Sequence, residues 1–201
     1  MARGSGNAVE FLYKLRESLS EAQRAALWPE NVAHVFIEDF SGSKPPQIGK
    51  DLDEQGRELV KSEIEPKGSR TSGASAFIEI SESKQEGRSL YGVPTQIALS
   101  EKPFSLRACV KQASPPDIRL SVVYWFNTAK RSSEIVIEEE EPLEGGWRWF
   151  MTRGNLYEEQ KQRAERAGYD MSDGVIGGIR LTLPQGPANK FWLAPIEVCI
   201  P

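Results

Sequence analysis

Residues 177–201 read GGIRLTLPQGPANKFWLAPIEVCIP. Two runs of alternating apolar residues flank the PQGP at 184–187, which predicts two antiparallel strands joined by a turn. In the last run Ile196, Val198 and Ile200 share one face, while Glu197 and Cys199 take the other. The stretch VAHVFIEDF at 32–40 is as apolar and as rich in β-branched and aromatic residues. A sandwich must close its sheet, so these first and last strands are expected to be neighbours.

Working outward, the same pattern recurs at 57–64, 75–81, 94–100, 104–113, 117–127, 133–140 and 146–152, with Gly, Pro, Ser and Asn clusters between. Many strands without alternating helices predict a mainly β, antiparallel sandwich. Two segments break the rhythm. Residues 7–28 carry Val9, Leu12, Leu15 and Leu19 at helical spacing, and Ser20 with Gln23 forms a capping-box pattern that starts a second short helix. Residues 155–174 are polar, with Asn155 placed to cap a surface helix and Gly168 placed to end it. The expected organisation is an N-terminal helical segment at 1–31 and a β-sandwich domain at 32–201. Residues 41–56 are expected to form a long polar loop. The EEEE run at 138–141 suits a solvated edge, and the glycines of GVIGG at 174–178 suit a bulge.

The composition of the 201 residues is that of an ordinary globular protein: 39% hydrophobic, 27% charged, net charge −4. Lys and Arg alternate with Glu and Asp and form no basic stripe, so nucleic acid is not an expected partner. No run has the length of a signal-peptide core or of a membrane span, and a cytoplasmic location is expected. Cys109 and Cys199 lack metal-site spacing and read as reduced thiols. His34, the one histidine, reads as a packed or edge residue of a strand. The chain has no G-x-S-x-G elbow, H-E-x-x-H or phosphate-binding loop. Neither catalysis nor a cofactor is expected.

The order GGW opening a strand, then DGVIGGIRLTLP, then FWLAPIEVCIP resembles the last third of the galactose-binding-like jelly rolls. These include carbohydrate-binding modules and the domain of the complex I intermediate-associated protein family. The opening VFIEDFSG is similar to their first strand. The resemblance implies a jelly roll. It also implies a structural calcium beside the first and last strands, for which Glu38, Asp39 and Glu197 are the available acids. Ala194-Pro195 stands where the acidic pair of the last strand is usual, so no metal site is expected.

A glycan-binding face needs flat aromatic rings beside polar groups. If the strands at 104–113 and 117–127 are neighbours, Arg107, Lys111, Arg119 and Trp125 decorate one outer face. Trp147 and Trp149 either extend it or pack in the core. The inserted helix either leaves Trp125 open or covers it. Two functions follow. One is a protein-interaction or assembly subunit with a protein partner, the reading we favour from the sequence. The other is a carbohydrate-binding module that takes a glycan on this face.

Overall fold

The computed structural model describes residues 8–38, 60–66, 74–82, 88–98, 100–113, 119–126, 131–152, 154–168, 170, 174–183 and 188–201. The polar segment expected at 41–56 and Asp39 lie outside them, as do the side chains of Phe36, Ile37, Glu38, Arg119, Trp125 and Pro195.

Among the described residues three α-helices and ten strands follow in chain order: α1 (Ala8–Ser18), α2 (Glu21–Leu27), β1 (Ala33–Glu38), β2 (Val60–Glu65), β3 (Ser75–Ile80), β4 (Arg88–Ala98), β5 (Ser105–Gln112), β6 (Arg119–Phe126), β7 (Arg131–Pro142), β8 (Trp147–Met151), α3 (Leu156–Ala167), β9 (Gly174–Leu183) and β10 (Asn189–Ile200). All described strand pairs are antiparallel. The order is β2-β3-β10-β5-β8-β7-β6-β9-β4, with β1 also paired to β10. The sheet curls because β7 serves two halves. Residues 131–137 pair with β6, and 138–142 pair with β8. The EEEE run is therefore laddered to β8 rather than left as an unpaired edge.

The first and last strands are neighbours: Ala33 lies opposite Ile200 and Val35 opposite Val198. β10 pairs with β3 over 189–193 and with β1 over 196–200, on its other side running along β5. The change of partner falls at Ala194-Pro195. Those two residues oppose the single Cys109 of β5, which makes a β-bulge. A proline fits there because its missing N–H removes no ladder bond at a bulge. A second bulge adds Gly177 to β9, between Gly178 opposite Val123 and Ile176 opposite Tyr124.

The main core lies on one face of the sheet that holds β5. Leu106, Ala108 and Val110 of β5 meet Ile78 of β3, Phe150 of β8 and Leu193, Ile196 and Val198 of β10. The helices close on the same cluster. Val9 and Leu12 of α1 are fully buried in it, as are Leu156 and Ala164 of α3. α1 is further held by Tyr13 donating to the Pro103 carbonyl at 2.7 Å, Arg16 donating to the Pro201 carbonyl, and Glu10 pairing with Lys102 at 3.1 Å. α2 has the capping box read from Ser20 and Gln23 but buries none of its residues. α3 starts with Asn155 accepting from the Tyr157 N–H and ends at Gly168, whose φ of 72° is left-handed and favours glycine.

Candidate functional site

Strand alternation sends every second residue of β2, β3, β10, β5 and β8 to the face opposite the main core. Register then lines those residues into rows across the sheet. One row runs Glu63, Phe77, Trp192, Lys111, Trp147, from β2 to β8. Beside it Lys61, Glu79 and Lys190 form a charged row, with Lys190 and Glu79 paired at 3.1 Å. On the other side Cys109 faces Trp149, and beyond that Arg107 faces both Glu197 and Met151.

The two ends of this face differ in access. Towards β8, Trp147 and Trp149 are each 7% exposed, and they cluster with Cys109 and Ala194 as a second, smaller apolar core. Towards β2, Phe77, Trp192 and Lys111 are half-buried, and Glu63, Glu65, Lys61 and Lys190 are exposed. Trp192 is firmly placed. Its indole N–H donates to Glu65 at 2.7 Å, its ring lies 5.2 Å from that of Phe77 at 47°, and the Lys111 ammonium sits 5.2 Å from its centroid. The last contact has cation–π geometry.

Arg107 is held by charge. Its Nε donates to Glu197 at 2.5 Å, and Nη1 reaches Glu30 at 3.3 Å. The guanidinium lies 4.2 Å from the Trp149 ring centroid. Burial alone would lower its pKa. Cys199, once its thiol is ionised at high pH, and the Glu197 and Glu30 carboxylates outweigh burial and hold the group above the ordinary arginine value. His34 stands next to it, Nδ1 lying 3.1 Å from the Val32 carbonyl oxygen and 3.4 Å from Arg107 Nη2.

The sequence-predicted face is thus only partly assembled. Arg107, Lys111 and Trp149 do share one face of adjacent strands. β5 and β6 are not neighbours, however. β5 pairs with β10 and β8, and β6 with β7 and β9, so Arg119 and Trp125 belong to the other half of the curled sheet. The expectation failed because consecutive strands need not pair, and strand alternation carries no information on order. Trp192, which joins Lys111 instead, was missed. It lies between Phe191 and Leu193, both in the main core, so alternation alone sends it to the opposite face.

Of the acids considered for a cation, the Glu197 carboxylate is taken up by Arg107. Among the described residues no group of three His, Cys, Asp or Glu could hold a metal ion. No helix among them is long and apolar enough to cross a membrane.

No family model and no curated protein matches the sequence. Solved structures do match in fold. The family 30 carbohydrate-binding module of a cellulosomal cellulase of Clostridium thermocellum aligns with a TM-score of 0.52 at 8% identity, over 82% of this chain and 96% of that one. A family 11 carbohydrate-binding module from Clostridium thermocellum, in complex with a β-1,3-1,4-mixed-linked tetrasaccharide, aligns with a TM-score of 0.48 at 13% identity, over 82% and 94%. The CBM22-1–GH10 modules of a Clostridium thermocellum endo-1,4-β-D-xylanase, complexed with xylohexaose, align at 0.43 and 9% identity. There the match covers 70% of this chain and spans about a quarter of that protein's length, 24%. The fold is a galactose-binding-like jelly roll.

Proposed function

We propose that the chain is a non-catalytic glycan-binding domain whose ligand lies along the Phe77–Trp192–Lys111 row. The observation that carries this reading is Trp192: a half-buried indole fixed by Glu65 and Phe77, beside a lysine and among exposed acids. An indole of this kind covers the apolar face of a pyranose while neighbouring charged groups bond its hydroxyls. Lys111 has a flexible four-carbon stem. Its ammonium would leave the ring as a sugar arrives and become a donor to that sugar. The fold shared with a family 30 carbohydrate-binding module over 82% of this chain supports the same reading by analogy.

Affinity electrophoresis against a panel of soluble β-glucans, xylans and galactans tests the proposal. Retardation by one polysaccharide class, lost in Trp192→Ala with the fold intact, is the expected result. No retardation by any member would overturn it. A second reading, a protein-interaction or assembly subunit, is favoured by Phe11 and Leu27, which are 55% and 51% exposed on the N-terminal helices. A stoichiometric protein partner that is lost in Phe11→Ser or Leu27→Ser would select it.

A further inference from the structure

Away from the sheet face, a cleft of about 390 Å³ lies between the end of α1, α2 and the start of β1. Arg16, Glu21, Arg24, Ala25, Trp28, Asn31 and Ala33 line it. Its walls are fixed. Trp28 is buried and donates its indole N–H to the His34 carbonyl at 3.0 Å. Asn31 is in the left-handed region, with φ of 57°, and its N–H donates to the Trp28 carbonyl at 2.9 Å. Arg16 donates to the Pro201 carbonyl.

Its charged groups are less committed. Glu21 and Arg24 stand three apart on α2 and both line the cleft, a spacing at which opposite charges often pair. They do not pair with each other, and among the described residues neither side chain has another partner. Arg16 is engaged on the Pro201 carbonyl, so Arg24 is the guanidinium of the cleft left to take a carboxylate, which arginine binds in fork geometry. The single acid suits a hydrogen-bond donor on the same ligand.

We infer that this cleft binds a small molecule that carries a carboxylate together with a hydroxyl or ammonium donor. Arg24 takes the carboxylate and Glu21 takes the donor, while Arg16, held on the Pro201 carbonyl, closes the wall. A hexuronic acid and an amino acid share that chemistry, and the cleft has room for either. The site is separate from the Trp192 row, so it stands or falls independently of the glycan proposal.

The test is a titration of the ¹⁵N-labelled full chain, followed by amide and indole shifts, with D-glucuronate, L-glutamate and uncharged D-glucose. The expected result is saturable shifts at Arg24, Trp28 and Asn31 with at least one carboxylate and none with glucose. The arm that saturates identifies the source. Arg24→Ala should weaken binding about tenfold, the scale of one charge-assisted hydrogen bond. Trp192→Ala should leave it unchanged. Absence of saturation with both carboxylates, equal shifts with glucose, or full binding in Arg24→Ala would overturn the inference. Arg24 is exposed on its helix, so unchanged melting of the single variant separates lost binding from lost fold.

Discussion

Arg107 and Glu197 face each other across β5 and β10, joined at 2.5 Å, and their side chains are 9% and 2% exposed. Two opposite charges thus lie on the sheet face away from the main core, under little solvent. Removing Arg107 strands the buried Glu197 carboxylate, and removing Glu197 leaves Arg107 only the exposed Glu30 at 3.3 Å, so either change costs up to about 3–5 kcal/mol. Glu197→Gln should lower the urea midpoint by a corresponding amount. Arg107→Met/Glu197→Leu should cost much less than either single change, because no buried charge remains. A double variant as unstable as the singles would show that the stacking of Arg107 on Trp149, rather than the ion pair, holds this region.

Gln160 of α3 is fully buried, and among the described residues neither its amide nitrogen nor its amide oxygen has a hydrogen-bond partner. An unmet buried polar group costs about 1–3 kcal/mol. Gln160→Leu keeps the approximate volume and removes the penalty, so it should raise stability by about 1 kcal/mol in urea titration. A loss instead would mean that ordered water satisfies the amide.

The contact of α1 with the loop before β5 should respond to acid. The Glu10 carboxylate is held below its ordinary value of 4.5 by the hydrogen bond from Lys102 and then by that from Ser100. A carboxylate with a lowered folded pKa adds stability above its unfolded pKa and loses it as pH falls through the folded one. Wild type should therefore protect the α1 amides from hydrogen exchange better than Glu10→Gln at neutral pH. The difference should vanish as pH falls below 4.5, through the folded value.

How much of this was legible beforehand varies with the distance over which each feature is decided. The capping box at Ser20, the Asn155 cap and the stop at Gly168 depend on residues a few positions apart, and all three stand as read. The core face of β10 follows from alternation, which is equally local, and Ile196, Val198 and Ile200 are buried as read. The pairing of β1 with β10 was legible because both runs are unusually apolar. The separation of β5 from β6 was not, because strand order is set by contacts among residues far apart in the chain. The bulge at Ala194-Pro195 was half visible: the proline signalled a broken ladder, but its place opposite Cys109 needed the register of β5.

α2 should depend on its cap more than on packing, since it buries none of its residues. Ser20→Ala removes the hydroxyl that accepts from the Gln23 N–H, a change worth about 1 kcal/mol. Amide shifts across 21–27 should move towards unfolded values while the sheet shifts stay in place. Because Arg24 and Glu21 sit on this helix, the same variant should also weaken carboxylate binding in the α2 cleft.

The two ends of the aromatic face should separate stability from binding. Trp149 is 7% exposed, packed in the second apolar cluster and stacked by Arg107. Its replacement by Ala leaves a cavity and an unstacked guanidinium, and should cost about 3–5 kcal/mol in urea titration. Trp192 is half-buried at the open end, with its indole N–H spent on an exposed carboxylate, and its truncation should cost clearly less. If glycan binding uses the Trp192 row, Trp192→Ala should abolish retardation by the polysaccharide while keeping the native melting transition. Trp149→Ala should retain retardation under conditions where it remains folded. The opposite assignment, with binding lost only in Trp149→Ala, would move the ligand to the Arg107 end of the face and would require that end to open.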